Sequence, residues 1–420
     1  MRRARHLLCC AALLASQASA TPEDFIFIPA PELALAAIDA LPRVRAAQAR
    51  GNEATARGEA LARGPYGFNL TVMPTARHER GGATYDEWEA QLTHSLRLPR
   101  KVALDRELGG LGVDASALGV ADARHAGARD LLALWFGWLR AAGAAELAGA
   151  QLEVVRSENQ AVTRRVAAGD AAALDADRAA AALAQAEGAL ARAEAQRVRE
   201  EVALNARFPD LPVPARPPVV PNPDAAREDG EAASAIVDGI VDANHEIDLA
   251  DALARHQGLA AARADAERWP DPSLGVRVLD ETNGAARGVG LVINIPFAGG
   301  GARATAVAEQ ERAAAMAEEA AAVRGEVRGE AQQLATGMPH LWRAWQATER
   351  ARLAAEAALA RMQRAFELGE AGLAELALAR RTAQDAQALE WQARLDVHEA
   401  RLRVEVDSHR LWARHDDHDH

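Results

Sequence analysis

Cysteine is almost missing from this 420-residue chain, and its two copies, Cys9 and Cys10, both fall inside the first twenty residues. The rest of the chain therefore has no disulfide, thiol nucleophile or thiolate ligand. Aromatic residues make up only 4% of the sequence, thin for a wide compact core. Beyond residue 20 there is no run of about 20 apolar residues, the length that a membrane-crossing helix needs. Any membrane-embedded part must then be a β-barrel, the other structure that satisfies its backbone in lipid. Enzyme signatures are missing as well. Gly299-Gly300-Gly301 follows a strand-like run and precedes a helical one, yet it lacks the Lys-Ser/Thr pair of a phosphate loop. No Ser, His and Asp set sits in a readable motif, so neither an enzyme nor a cofactor is expected. The net charge of −12 argues against nucleic acid as a partner.

What is present is alanine-rich and periodic. Met1-Arg2-Arg3-Ala4-Arg5, the apolar run from Leu7 to Ala15 and the small residues Ala18-Ser19-Ala20 read as a secretory signal peptide over residues 1–20. A chain from about Thr21 would be exported. Apolar residues reach 49%, most of them alanine, in the helical period of long helices packed on one another.

Two stretches organise the remainder. Leu98-Pro99-Arg100-Lys101 and Ile295-Pro296-Phe297-Ala298 each close a run of strand-like alternation and precede a very long helical pattern. A second strand-like run and a shorter helix come before each. The strands are expected at about 67–78 and 85–98, and at about 273–280 and 288–295. Pro99 and Pro296 stand 197 positions apart. Gly169 and Gly369, which interrupt the two long helices, stand 200 apart. Agreement at two distant landmarks argues for a duplicated helix-strand-strand-long helix unit. The halves are residues 21–225 and 226–414, followed by a His/Asp-rich tail at 415–420. The fold class is mainly α with a small β part.

Lengths set the architecture. Long arms from Lys101 to Ala168 and from Arg303 to Leu368 would each reach about 100 Å at ~1.5 Å per residue. Shorter helices stacked end to end would fill the space beside them. Four strands cannot close a barrel, because the smallest have about eight. Open edges are not tolerated in lipid, and three copies supply twelve strands.

The doubled unit, the strand-ending "LP" and "IP" motifs, and the glycine turns with a carboxylate six residues on resemble the TolC family of outer-membrane efflux proteins. Leu98-Pro99-Arg100-Lys101 in particular is similar to the heavy-metal branch that serves cation-exporting RND pumps. The resemblance implies a homotrimer in the outer membrane, with a 12-stranded β-barrel in lipid continuous with a 12-helix periplasmic α-barrel. It also implies a periplasmic adaptor and an inner-membrane RND pump as partners. The tip turns Gly169-Asp170 and Gly369-Glu370 map onto the adaptor-docking turns. Asp175 and Glu375 map onto the acidic entrance constriction. Leu378 stands where the commonest pattern has a second carboxylate.

Each candidate has a plainer reading. Asp175 and Glu375 would form a cation-attracting ring if they face a lumen, and otherwise lie on a solvated helix face. Arg165 and Arg364, four or five residues before the tip glycines, suit ion pairs that hold the tip shut, or helix C-terminal charges favoured by the dipole. His415, His418 and His420, with Asp416, Asp417 and Asp419, suit weak binding of Zn, Cu, Ni or Co, or form a solvated tail. The function implied is a passive exit duct of a tripartite efflux system for heavy-metal cations. The alternatives are the same duct exporting drugs or other small organic molecules, and a periplasmic coiled-coil scaffold or adaptor.

Overall fold

The computed structural model describes residues 26–224, 233–297 and 299–413. The signal-peptide reading of residues 1–20 and the histidine tract at His415, His418 and His420 lie outside these residues, as does Ala298.

The elements run α1 (Pro31–Asp39), α2 (Pro42–Arg63), β1 (Phe68–His78), β2 (Thr84–Ser95), α3 (Pro99–Ala167), α4 (Ala173–Arg207), α5 (Ala233–Asp242), α6 (His245–Ala266), β3 (Ser273–Glu281), β4 (Ala286–Asn294), α7 (Gly300–Glu367) and α8 (Leu373–Asp407). The protein is mainly helical with one small sheet. Around that sheet the order helix, strand, strand, long helix occurs twice, and lengths match across the halves. The long helices α3 and α7 have 69 and 68 residues. The helices before the strands, α2 and α6, have 22 each, and the return helices α4 and α8 have 35 each. Helices α2 and α4 both pack on α3, while α6 and α8 both pack on α7.

The prolines act as helix starts. Pro31, Pro42 and Pro99 open α1, α2 and α3, where a missing N–H costs nothing and φ is already helical. Strand β2 accordingly stops at Ser95, short of the expected 98. Leu96 to Leu98 form a connector whose Leu96 N–H donates to Pro272 O at 2.8 Å. Helix α7 starts at Gly300, ahead of the expected Arg303, so Gly300 and Gly301 belong to its first turn. Gly51 lies within α2, facing α3 near Ser116. At Gly58 the same two helices meet more closely. Any Cβ on Gly109 would stand 2.9 Å from Gly58 Cα, so Gly109 needs glycine.

The main core is a belt across the middle of the helices. Trp135, Trp138, Leu131 and Leu139 of α3 pack with Ile38 of α1, Leu395 and Leu402 of α8, and Phe208, Leu211 and Val220 of the proline-rich connector. The Trp135 Nε1–H donates to Phe27 O at 2.9 Å. The matching pair on α7, Trp342 and Trp345, is also buried, and Trp345 Nε1–H donates to Glu390 at 3.0 Å. Helix α3 holds a stretch long and apolar enough to cross a membrane, but 56% of it is buried inside the protein, as in a core helix.

Candidate functional site

Three regions along the long axis carry the features that bear on function: the sheet, the sheet-to-helix junction, and the far helical tip.

The sheet is an antiparallel meander in the order β1-β2-β3-β4. Its register aligns Leu70, Leu92, Val276 and Leu291 in one row and Val72, Ala90, Val278 and Val289 in the next. Phe68, His94, Leu274 and Ile293 form a third. Because side chains alternate, all of these share one face, and its large apolar members are solvent-exposed, Val289 at 78% and Leu291 at 76%. The opposite face carries Thr71, Gln91, Thr93, Glu87, Glu89 and Arg277. Arg77 pairs with Glu87 at 2.9 Å and Arg277 with Glu89 at 3.8 Å. Apolar outside and polar inside is the pattern of a strand between lipid and water. The strands have 9 to 12 residues, the length a tilted membrane strand needs. Among the described residues, the outer edges of β1 and β4 have no neighbouring strand. Tyr66, Phe68, Trp269 and Phe297, all exposed, gather at the helix-side end of the sheet. These aromatics are scattered in sequence, so no girdle shows there.

At the junction stands Lys101, the only lysine in the chain. It is 1% exposed. Its Nζ lies 2.8 Å from Glu267 and 3.2 Å from Asp271. Asp271 also accepts from the Tyr66 hydroxyl at 2.7 Å and from Leu98 N–H at 2.9 Å. Nearby, Asp105 receives Arg97 at 2.8 Å and Arg263 at 2.6 Å, and Arg97 donates to the last carbonyls of α2, Leu61 O and Ala62 O. This network ties α2, α3, α6 and the start of β3 into one block. Its hydrogen bonds shape the titrations. The bond to Asp271, then burial, pushes the Tyr66 hydroxyl up to about 12. Burial pushes the Asp271 carboxyl up, but the Leu98 N–H, Tyr66 and Lys101 outweigh it and hold the group below its ordinary range. So Lys101 of the Leu-Pro-Arg-Lys motif is spent on architecture. That it is the chain's single lysine is a mark in the sequence that could have singled it out.

The tip is built differently. Gly169 and Gly369 have φ of +82° and +75°, the left-handed region that favours glycine. At the first turn Gly169 N–H donates to Val166 O at 3.0 Å and Asp170 N–H to Arg165 O at 2.8 Å. At the second, Gly369 N–H donates to Phe366 O at 3.1 Å and Glu370 N–H to Ala365 O at 2.8 Å. Both are Schellman caps. Asp170 and Glu370 are exposed at their ends. Asp175 and Glu375 each occupy the third position of a return helix. Glu375 Oε2 accepts Gly372 N–H at 2.9 Å, whereas Asp175 lies 3.7 Å from Arg178. A carboxylate at such a position satisfies helix N-terminal N–H groups and the dipole.

Arg165 reaches the Asp170 backbone carbonyl at 3.5 Å and lies over the Phe366 ring at 6.0 Å, which brings the two tips together. Arg364 is exposed and makes no ion pair among the described residues. The pair that bridges the two hairpins is Arg380 of α8 with Glu158 of α3, a two-toothed contact through both guanidinium nitrogens, and Arg380 is buried. Sequence spacing gave no hint of it, because the partners are 222 residues apart.

No protein-family model and no curated protein matches the chain. Solved structures do. The fold matches CusC, studied for its folding and transmembrane channel formation, with a TM-score of 0.73 and 14% identity over 94% of this chain and 95% of that one. It matches the outer-membrane channel OprN with a TM-score of 0.76 and 17% identity over 91% and 90%. It matches the outer membrane protein VceC of Vibrio cholerae with a TM-score of 0.70 and 17% identity over 90% and 95%. Across nearly its whole described length, the chain therefore has the fold of these outer-membrane channels.

Proposed function

We propose that the chain is the outer-membrane channel of a tripartite RND-type efflux system, a passive and non-enzymatic exit duct. The observation that carries this reading is the sheet. It presents one largely apolar exposed face and, among the described residues, two unpaired edges, mounted on helices of 69 and 68 residues. In water alone, such a face would cost about 25 cal/mol for every Å² left wet. Three copies joined edge to edge would bury the edges, close twelve strands into a barrel and turn the apolar face to lipid. The polar face would then line the bore. The helices, about 100 Å long at ~1.5 Å per residue, would cross the periplasm to an adaptor and an inner-membrane pump. The glycine turns at Gly169 and Gly369 would meet the adaptor, and Asp175 and Glu375 would guard the entrance.

Heavy-metal cations are the proposed cargo, on the resemblance of Leu98-Pro99-Arg100-Lys101 to the cation-efflux branch. One observation favours a second reading, export of small organic molecules. Lys101 is fully engaged in the junction, so the motif serves any cargo equally. A deletion strain complemented by the wild-type gene, challenged with Zn, Co, Cd, Ni, Cu and Ag beside organic drugs, separates the two. Sensitivity to a subset of metals alone supports cation export, and sensitivity to drugs alone overturns the metal assignment. Absence of the protein from outer-membrane fractions would sink the channel itself and favour a periplasmic scaffold.

A further inference from the structure

The two long helices differ where they cross the belt. Just before the Trp342/Trp345 pair, three features weaken α7 within four residues. Pro339 lies inside the helix. It has no N–H to give to Ala335 O, and its ring crowds that carbonyl. Thr336 turns its hydroxyl back on its own helix and donates to Gln332 O at 2.6 Å, a bond that bends helices. Gly337, a poor helix former, has open space where a side chain would begin. Thr336, Pro339 and His340 are exposed.

Six residues before its own tryptophan pair, α3 carries Arg129 to Leu132 instead. Leu131 and Leu132 are buried in the belt core. Arg129 pairs with Asp407 of α8 at 2.7 Å, and a Cβ on Gly127 would stand 2.8 Å from Leu41. After Pro99 at its start, α3 has no proline.

We propose that Thr336 to Pro339 form a hinge in α7, about which its tip-side part swings together with the tip-side part of α8. A change of packing partner carries the argument. Up to the weak stretch, Val327, Ala331 and Ala335 pack with Val237 and Ile240 of α5 and Ile247 of α6. Beyond it α7 holds α8, through Trp345 to Glu390 at 3.0 Å and Gln387 to Glu356 at 2.8 Å. The interrupted ladder thus falls between two splints, where a helix bends most easily. Toward its end, α8 stays on α3. Arg140 pairs with Asp396 at 2.7 Å, and a Cβ on Gly143 would collide with the Trp391 indole. On the tip side the hairpins are joined by Arg380–Glu158 and by Arg165 over Phe366. In the duct proposed above, the hinge puts the flexing point of the entrance at the belt rather than at the glycine turns, and that use rests on the reading given there.

The lever is long enough to measure. A bend of about 20°, which proline kinks exceed, carries Ala360 roughly 11 Å sideways at ~1.5 Å rise per residue, because Ala360 lies 21 residues beyond Pro339. The test is the spread of spin-label distances, by double electron–electron resonance, in the detergent-solubilised full chain, which has no cysteine beyond residue 20. Labelled chains are diluted with unlabelled ones, so that each distance lies within one chain. Glu153→Cys with Ala360→Cys spans α3 and α7 on the tip side. Asp114→Cys with Glu318→Cys spans them on the sheet side. Arg380→Ala is present throughout to release the bridge. The tip-side distances are expected to spread by about 10 Å more than the sheet-side ones. Pro339→Ala should cut that excess by roughly half or more, and so should Gly337→Ala, since each restores a good helix former at an open position. Equal spread on the two sides would overturn the hinge. So would a wide tip-side spread that neither replacement narrows, because the flexing would then lie elsewhere in the hairpin. Neither result depends on transport, so the hinge and the duct can fail separately.

Discussion

The two ends of the long helices are secured by opposite means. At the sheet end, Lys101, Asp271, Asp105, Arg97 and Arg263 form a buried ionic block with Tyr66 and Glu267. At the tip, two exposed glycine turns close on their own helix ends through backbone hydrogen bonds, and the strongest bridge between hairpins is the single contact Arg380–Glu158. Buried ion pairs add little net stability, but they penalise every misaligned arrangement, because a displaced partner leaves a bare charge behind. A Schellman turn ends its own helix and leaves the neighbouring hairpin free. The junction is thus built to hold one geometry, whereas the tip can change its own by breaking few contacts. If the chain is the duct proposed above, sealed in a membrane at one end and opened on demand at the other, that distribution is the useful one.

The largest expected effect breaks the junction. Lys101→Met removes the cation between Asp271 and Glu267, and the Asp271 side chain is buried. A loss of roughly 3–5 kcal/mol follows from stranding a buried charge, read as the shift in thermal or denaturant unfolding of the detergent-solubilised protein. A loss below about 1 kcal/mol would mean the block is not what fixes this end. The tip counterpart is smaller. Glu158 is partly exposed, so water can take over when Arg380→Ala removes its partner, and about 1–2 kcal/mol is expected, between surface and buried pairs. Its functional readout moves more: single-channel conductance in planar bilayers should rise as the hairpins part. Arg165→Ala, which removes a long contact to a carbonyl and a ring, should leave conductance near wild type. The reverse ranking would assign the gating role to Arg165.

The pH profile sharpens the same contrast. Tyr66 titrates at about 12 in the folded protein, raised from 10. Its contribution is full below pH 10 and is lost as pH rises from 10 toward 12. Asp271 and Glu267 are shifted the other way, held down by Lys101 together with Leu98 N–H and Tyr66 for the first and Arg263 for the second, against the opposing push of burial. Their contributions are present above the ordinary carboxylate pKa and are lost as pH falls through the lowered values. Tyr66→Phe should flatten the alkaline loss at the junction and leave the acid side nearly intact. Hydrogen exchange of peptides spanning 61–70 checks it, since an unchanged alkaline profile would show that another group governs it.

How far the sequence revealed this depended on the range of each interaction. Helical period, proline and glycine punctuation and strand alternation are local, so a mainly helical fold with a small sheet was legible from composition and spacing. Helix α5 was not, because Ala233–Asp242 is short and comes after the proline-rich connector. The ends of β2 and the start of α7 were misplaced because a proline or glycine that closes a strand pattern equally opens a helix. The pairings of the junction network and the Arg380–Glu158 bridge were invisible. Each joins residues more than 150 positions apart, and no periodicity records that. The placing of Tyr66, Phe68, Trp269 and Phe297 at one end of the sheet was hidden for the same reason.

The smallest expected effect decides between two roles for one carboxylate. Glu375 accepts the Gly372 N–H at the start of α8, while Asp175, at the matching place on α4, lies beside Arg178. If both act only on their own helices, Glu375→Ala should cost about 0.5–1 kcal/mol, the worth of an N-terminal acceptor. Glu375→Gln keeps an oxygen acceptor and should cost less, about 0.3 kcal/mol. Asp175→Asn should be nearly silent. If the two also ring an entrance, the neutral variants remove three charges each from a trimer, and cation-over-anion selectivity in planar bilayers should fall in both. Stability and selectivity therefore separate the roles. Glu375→Gln with near-native stability and lowered selectivity assigns a lumen position, because a neutral amide retains the hydrogen bond and loses only the field. Native selectivity in Glu375→Gln and Asp175→Asn together would leave capping as the whole reason for a carboxylate six residues after each tip glycine.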